Sequence, residues 1–200
     1  MSTSSQASES AAKGRCKGTL LVNLRSHVTS TDGEAAWTAL VRGSSPADVE
    51  VLESPLLVSS WYPVGVWNRA LRAQVRAHGD DVNELRKVAR HVADRDLNTV
   101  LKFILSIANA DTIVGRTGMF WSRYFDRGSL TPEKVGPNEW VLTIEGPTGE
   151  DAGAGEMTCG EGVSKWVQTA LELTGVKSAK VVHERCRFRG HPECRTRVSW

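Results

Sequence analysis

The chain has 200 residues, 40% of them hydrophobic, enough for one compact domain with a core and too few to expect two. Its formal net charge is +2 with both signs mixed throughout, so no basic excess points to nucleic acid, and none is expected as a partner. No run approaches the ~20 apolar residues that cross a bilayer, and the opening MSTSSQASESAAKGR lacks the apolar middle of a secretory signal, so a cytoplasmic protein with reduced cysteines and no membrane insertion is expected.

Residues 1–14 are rich in Ser and Ala without apolar periodicity and read as a disordered tail, which leaves 15–200 as a single domain. Cys16 lies in this polar region with no evident partner. Leu20, Leu21, Val22 and Leu24 mark a short strand or a first packed element. Asp32 or Gly33 opens a short helix through Val41 that Gly43 ends, and Ser45 caps a second one starting at Pro46. Pro63 reads as the first-turn proline of a helix reaching His78, with Val64, Trp67, Leu71 and Val75 on one stripe. Asp80 or Asp81 caps a longer periodic stretch running to Ala108, as one helix or two. Asp111 caps the next helix, which places Ile113, Thr117, Phe120, Trp121 and Tyr124 on one side.

Beyond Gly128 the signals change to those of strands, with Trp140, Leu142 and Ile144 alternating with their neighbours. A glycine-rich loop around Gly153 and Gly155 leads into a helix from Gly160 to Leu173, ended by Gly175. Two strands, 178–184 and 193–200, close the chain as a hairpin whose loop carries Arg187, Phe188, Arg189 and Gly190. The sum is an α+β fold, a helical N-terminal half packed on a small antiparallel sheet formed mainly by the C-terminal part.

Four soft or borderline donors stand in the pattern C-x23-H-x2-C-x7-C: Cys159, His183, Cys186 and Cys194. A helix start, a strand and a hairpin can bring them to one point, as a tetrahedral zinc site requires. With four protein ligands such a zinc would be structural. His191 competes with His183, being also three residues ahead of a cysteine, and Glu184 is a further substitute; the plain alternative is reduced, buried thiols and a hydrogen-bonded histidine. Trp61, Tyr62, Trp67, Phe120, Trp121, Tyr124 and Trp140 are candidate linings of an aromatic pocket, or else ordinary core. No P-loop, GxGxxG or GxSxG pattern occurs, so no catalytic role is expected. The arginines of the terminal hairpin alternate with Glu184 and Glu193 and read as a solvated strand face.

The segment HERCRFRGHPECRTRVSW resembles the C-terminal signature of the 4-vinyl-reductase type of ligand-binding domain, and SPLLVSSWYPVGVWNRAL with DLNTV resembles a myxobacterial paralogous family of that kind without assigned function. The resemblance implies helices on one side of an antiparallel sheet, a homodimer, and a cysteine site into which Cys159, Cys186 and Cys194 fall, with His183 where the phenol-sensing domains of that kind carry a glutamate. It implies a regulatory or sensor domain for a small apolar or aromatic ligand, stabilised by zinc, that acts on a regulatory protein partner. The alternative it implies is an interaction scaffold of the transport-particle type without ligand.

Overall fold

A computed structural model describes residues 13–99 and 109–200 of the chain. Most of the expected tail, and the stretch 100–108 of the long periodic segment, lie outside the described residues. Gly14 is inside them, and its amide donates to the Asp151 carbonyl at 2.8 Å.

The chain enters through β1 (Arg15–Lys17), which pairs antiparallel with β2 (Trp61–Pro63), Cys16 opposite Tyr62. Cys16 is fully buried there and also bridges Phe125, so its polar sequence context misled; burial pushes its thiol up to about 12. The apolar run, read as a short strand or a first packed element, is helix α1 (Gly18–Thr31). Leu20, Leu21, Leu24, His27 and Val28 are buried at helical spacing, while the adjacent leucines that suggested a strand carry no period of their own. Gly18 starts α1 pressed against the Leu57 carbonyl, which a Cβ would meet at 2.1 Å.

Helix α2 (Glu34–Arg42) ends at Gly43, and α3 (Pro46–Glu53) carries Pro46 in its first turn and Ser45 as N-cap, Oγ accepting from the Asp48 amide. Helices α4 (Val64–Ala77) and α5 (Val82–Thr99) follow. The next segment is two helices, α6 (Ala110–Gly115) and α7 (Thr117–Tyr124), broken at Arg116. Its cap is Asn109, whose Oδ1 accepts from the Thr112 amide, and not Asp111.

Four strands form the second layer: β3 (Ser129–Gly136), β4 (Glu139–Glu145), β5 (Lys180–Arg185) and β6 (Cys194–Ser199), antiparallel in the order β3-β4-β6-β5. Pro132 sits in edge strand β3, where a missing amide is tolerated. A π-helical turn, Thr158–Gly162, leads into α8 (Val163–Leu173), which lies against α5 and β5. Leu21, Leu24, Leu71, Leu142, Ile144 and Leu171 are fully buried, so the core sits between the helical half and the sheet, and the α+β expectation stands. None of the described helices is long and apolar enough to cross a membrane.

The glycine-rich loop is pinned. Asn68 on α4 donates to the Glu150 and Gly153 carbonyls at 2.7 and 3.0 Å and accepts from the Gly155 amide at 3.0 Å.

Candidate functional site

Two features stand out, a cavity in the helical layer and a thiol cluster beneath it. The cavity holds about 80 Å³. Leu20 of α1, Trp67 and Leu71 of α4, Leu85, Val88, Ala89 and Val92 of α5, Phe120, Trp121 and Tyr124 of α7, Leu130 of β3 and Val163, Trp166 and Val167 of α8 line it. Its walls are almost wholly apolar because these helices turn their hydrophobic stripes toward one another. The polar tips are largely engaged: Trp67 Nε1 donates to Thr158 Oγ1 at 3.0 Å, and Trp166 Nε1 donates to the Tyr124 hydroxyl at 3.3 Å. That hydroxyl donates in turn to Asp96 Oδ2, and burial with the nearby Asp96 charge pushes its pKa well up, so it stays a phenol. Among the described residues, Trp121 Nε1 is buried without a hydrogen-bond partner.

Of the seven aromatic residues expected to line a pocket, Trp67, Phe120, Trp121 and Tyr124 do so. The other three face elsewhere. Trp61 is partly exposed beneath the cations of Arg15 and Lys17, and the Tyr62 hydroxyl accepts from the Leu57 amide at 2.9 Å. Trp140 Nε1 donates to Asp111 Oδ1 at 2.8 Å, an oxygen that Lys134 Nζ also approaches at 2.8 Å, so this tryptophan ties the sheet to α6. Trp166 was missed, although its period with Val163, Val167 and Ala170 was visible in the sequence. An outer cleft of about 300 Å³, with Lys17, Thr19, Asp96 and Arg123 on its walls, shares Phe120 and Tyr124 with the cavity.

At the thiol cluster, the donor atoms of His183, Cys186 and Cys194 all lie within 4.8 Å of one another. An irregularity in the β5–β6 pairing between His183 and Arg185 re-aims the strand, so His183 and Cys186 reach the same point that Cys194 reaches from β6. Cys159, in the π-helical turn, stands outside this trio. It is hydrogen-bonded to Cys194 and accepts from Arg187 Nη2 at 3.2 Å. Arg187 is buried, and its backbone amide donates to Cys194 Sγ at 3.4 Å. The hydrogen bond from Cys159, then the Arg187 amide and charge, outweigh burial and bring Cys194 down to about 6. The Cys159 thiol is pushed well up by its bond to Cys194 and by burial, and Cys186 is raised mainly by burial. His183 Nδ1 lies 3.4 Å from Thr196 Oγ1, and its Nε2 is buried without a partner. The competing ligands point away: His191 is exposed, and Glu184 is held by Arg197 at 2.6 Å.

No family model and no curated protein matches the sequence. Solved structures do match, and they share the fold of H-NOX proteins. An H-NOX protein from S. oneidensis in the Fe(II)NO ligation state superimposes with TM-score 0.72 at 10% identity, over 92% of this chain and 98% of that one. A point mutant of the Fe(II) unliganded H-NOX protein from K. algicida gives 0.69 at 12%, over 92% and 95%. A structure described by protein-induced porphyrin distortion and haem redox potential gives 0.65 at 12%, over 92% and 99%. At such identities the likeness establishes the fold.

These structures correct two expectations. The fold is that of H-NOX domains and not of the 4-vinyl-reductase type, because a cysteine spacing is a local feature that unrelated scaffolds can carry. Zinc is not retained as the resident cofactor: the matching structures are described by iron and haem, and in this chain the positive charge facing Cys159 is the Arg187 guanidinium.

The described residues that line the cavity do not fit a haem. Haem iron takes its axial ligand from His, Cys, Met or Tyr. Among the described lining residues Tyr124 alone is of these types, and its hydroxyl is committed to Asp96 and Trp166. The stretch 100–108, VLKFILSIA, contains none of them. The cavity, at about 80 Å³, is smaller than the ~150 Å³ that accepts a single benzene ring.

Proposed function

We propose that the chain is a non-enzymatic sensor domain of H-NOX fold that works without haem and takes a small apolar molecule, of dissolved-gas size, directly into the cavity between α4, α5, α7 and α8. The observation that carries this reading is the cavity itself, whose walls are apolar and whose volume is too small for an aromatic ring. The solved structures of similar fold support the sensing role, being described by the NO-bound or unliganded state of their iron. Phe120 and Tyr124 stand between cavity and outer cleft and form the entry, and the unpartnered Trp121 N–H favours a guest that carries one weak acceptor. The output passes to a protein partner or a second copy of the chain.

Xenon is the direct probe, since it enters dry apolar cavities of this kind. Xenon NMR on the purified protein is expected to show a saturable, slowly relaxing bound signal; a spectrum identical to that of buffer contradicts the reading.

We also propose His183, Cys186 and Cys194 as a thiol–imidazole site for a soft cation such as copper(I), carried by the convergence of their donor atoms, with Cys159 kept outside it by Arg187. Elemental analysis of the purified chain should find a soft metal at one equivalent, and Cys186→Ser should lose it. Equal metal content in both proteins sinks the assignment.

A further inference from the structure

A second group of ligand atoms lies at the far end of the helical layer, where α1 and α4 end and α5 begins. Asp32 is the C-cap of α1, His78 the C-cap of α4, and Glu84 belongs to the first turn of α5. Asp32 Oδ2 is 3.1 Å from His78 Nε2, which is 3.9 Å from Glu84 Oε1, and all three atoms lie within 4.8 Å of one another. A cation held at about 2.1 Å from each donor sets neighbouring ligands about 3.0–3.4 Å apart, close to this spacing.

The Gln74 side chain occupies the middle of the group. Its Nε2 is 2.9 Å from Asp32, 3.0 Å from Glu84 and 3.1 Å from His78, whose own Nε2 donates or accepts according to its tautomer. Turning the amide over places its carbonyl oxygen, a metal ligand, in the same spot. The carboxylate of Glu84 is 3% exposed and fixed from behind by His27, whose Nε2 is 2.8 Å from the same oxygen, whereas Asp32 and His78 are 24% and 34% exposed and leave a way in from solvent. Two helix C-termini converge here against one N-terminus, so the backbone dipoles add to the carboxylates in favouring a positive charge.

We propose that Asp32, His78 and Glu84, completed by the Gln74 carbonyl, form an oxygen-rich site for a divalent cation that ties α1, α4 and α5 together. Two carboxylates, an amide oxygen and one imidazole make a harder donor set than the thiol cluster, and one suited to manganese(II). The three helices also wall the apolar cavity, through Leu20, Trp67 and Leu85 among others, so a bound ion stiffens that cavity.

Manganese(II) is the probe, titrated into the full chain and followed by loss of the free-ion EPR signal. The expected result is one bound equivalent, weakened at least about tenfold by Asp32→Asn and by His78→Ala and unchanged by Cys186→Ser. Both informative substitutions are on the solvent side, with circular dichroism confirming the fold, and should one of them unfold the chain the other decides. No uptake by the unaltered protein, or uptake that neither substitution weakens, overturns the site.

Discussion

Asp48 shows how one side chain fastens the N-terminal half. It is 4% exposed, and its carboxylate takes a bidentate pair of bonds from Arg69, Nε to Oδ2 at 2.7 Å and Nη2 to Oδ1 at 2.8 Å. The Arg69 bonds hold its carboxyl below the usual range despite the opposing effect of burial. A carboxyl that titrates lower when folded stabilises the fold fully above the unfolded value of about 4 and loses that contribution as pH falls through the folded value. Asp48→Asn is therefore expected to cost about 2 kcal/mol near neutrality, less than the ~3–5 of a fully buried pair because Arg69 keeps a third of its side chain in water. Urea denaturation at pH 7 and at about pH 3 checks it: the gap between the two proteins should narrow in acid, and a gap of constant size contradicts the assignment.

Residue identity alone did not reveal this pair. Asp48 reads as an ordinary first-turn acid, and its partner is supplied by another helix. The same holds for Arg187, which looked like one more strand-face arginine and is a buried guanidinium against Cys159. Cysteine and histidine spacing was more informative, since ligand chemistry limits which residues are worth bringing together, and His183, Cys186 and Cys194 do converge.

At the scale of elements, local signals held where the physics is local. Ser45 with Pro46, Gly43 after α2 and Gly175 after α8 mark their helix ends through capping and left-handed or tight-turn backbone, which depend on a few neighbouring residues. They failed where packing decides. The run at Leu20, whose type local signals left open, is a helix because it lies against α4 and α5, and the helix expected from Asp111 breaks at Arg116 so that α7 can approach the sheet, where a Cβ on Gly118 would meet the Leu130 carbonyl at 2.4 Å. The cavity also belongs to this scale, as a mismatch among α4, α5, α7 and α8 that no single helix encodes. Ala89→Leu on α5 places a larger side chain among its lining residues. The expected outcome is loss of the bound xenon signal with the fold intact, and an unchanged signal would mean that xenon binds elsewhere.

For the whole molecule, composition and period gave the α+β layering, because hydrophobic stripes and alternation follow directly from burial. Family was not legible in the same way. A motif match at the terminal hairpin pointed to one ligand-binding superfamily, while the backbone path over 92% of the chain has the fold of H-NOX proteins, at 10–12% identity. Similar backbone paths tolerate such divergence because a core needs apolar volume in the right places more than particular residues. The interior of this chain holds a small apolar space with no free axial ligand on its described walls. Titrating haemin into the purified full chain and following the Soret band tests that claim most directly. Only the weak, non-saturating changes of haem adhering to a surface are expected; a sharp Soret band saturating at one equivalent would show that the interior takes haem.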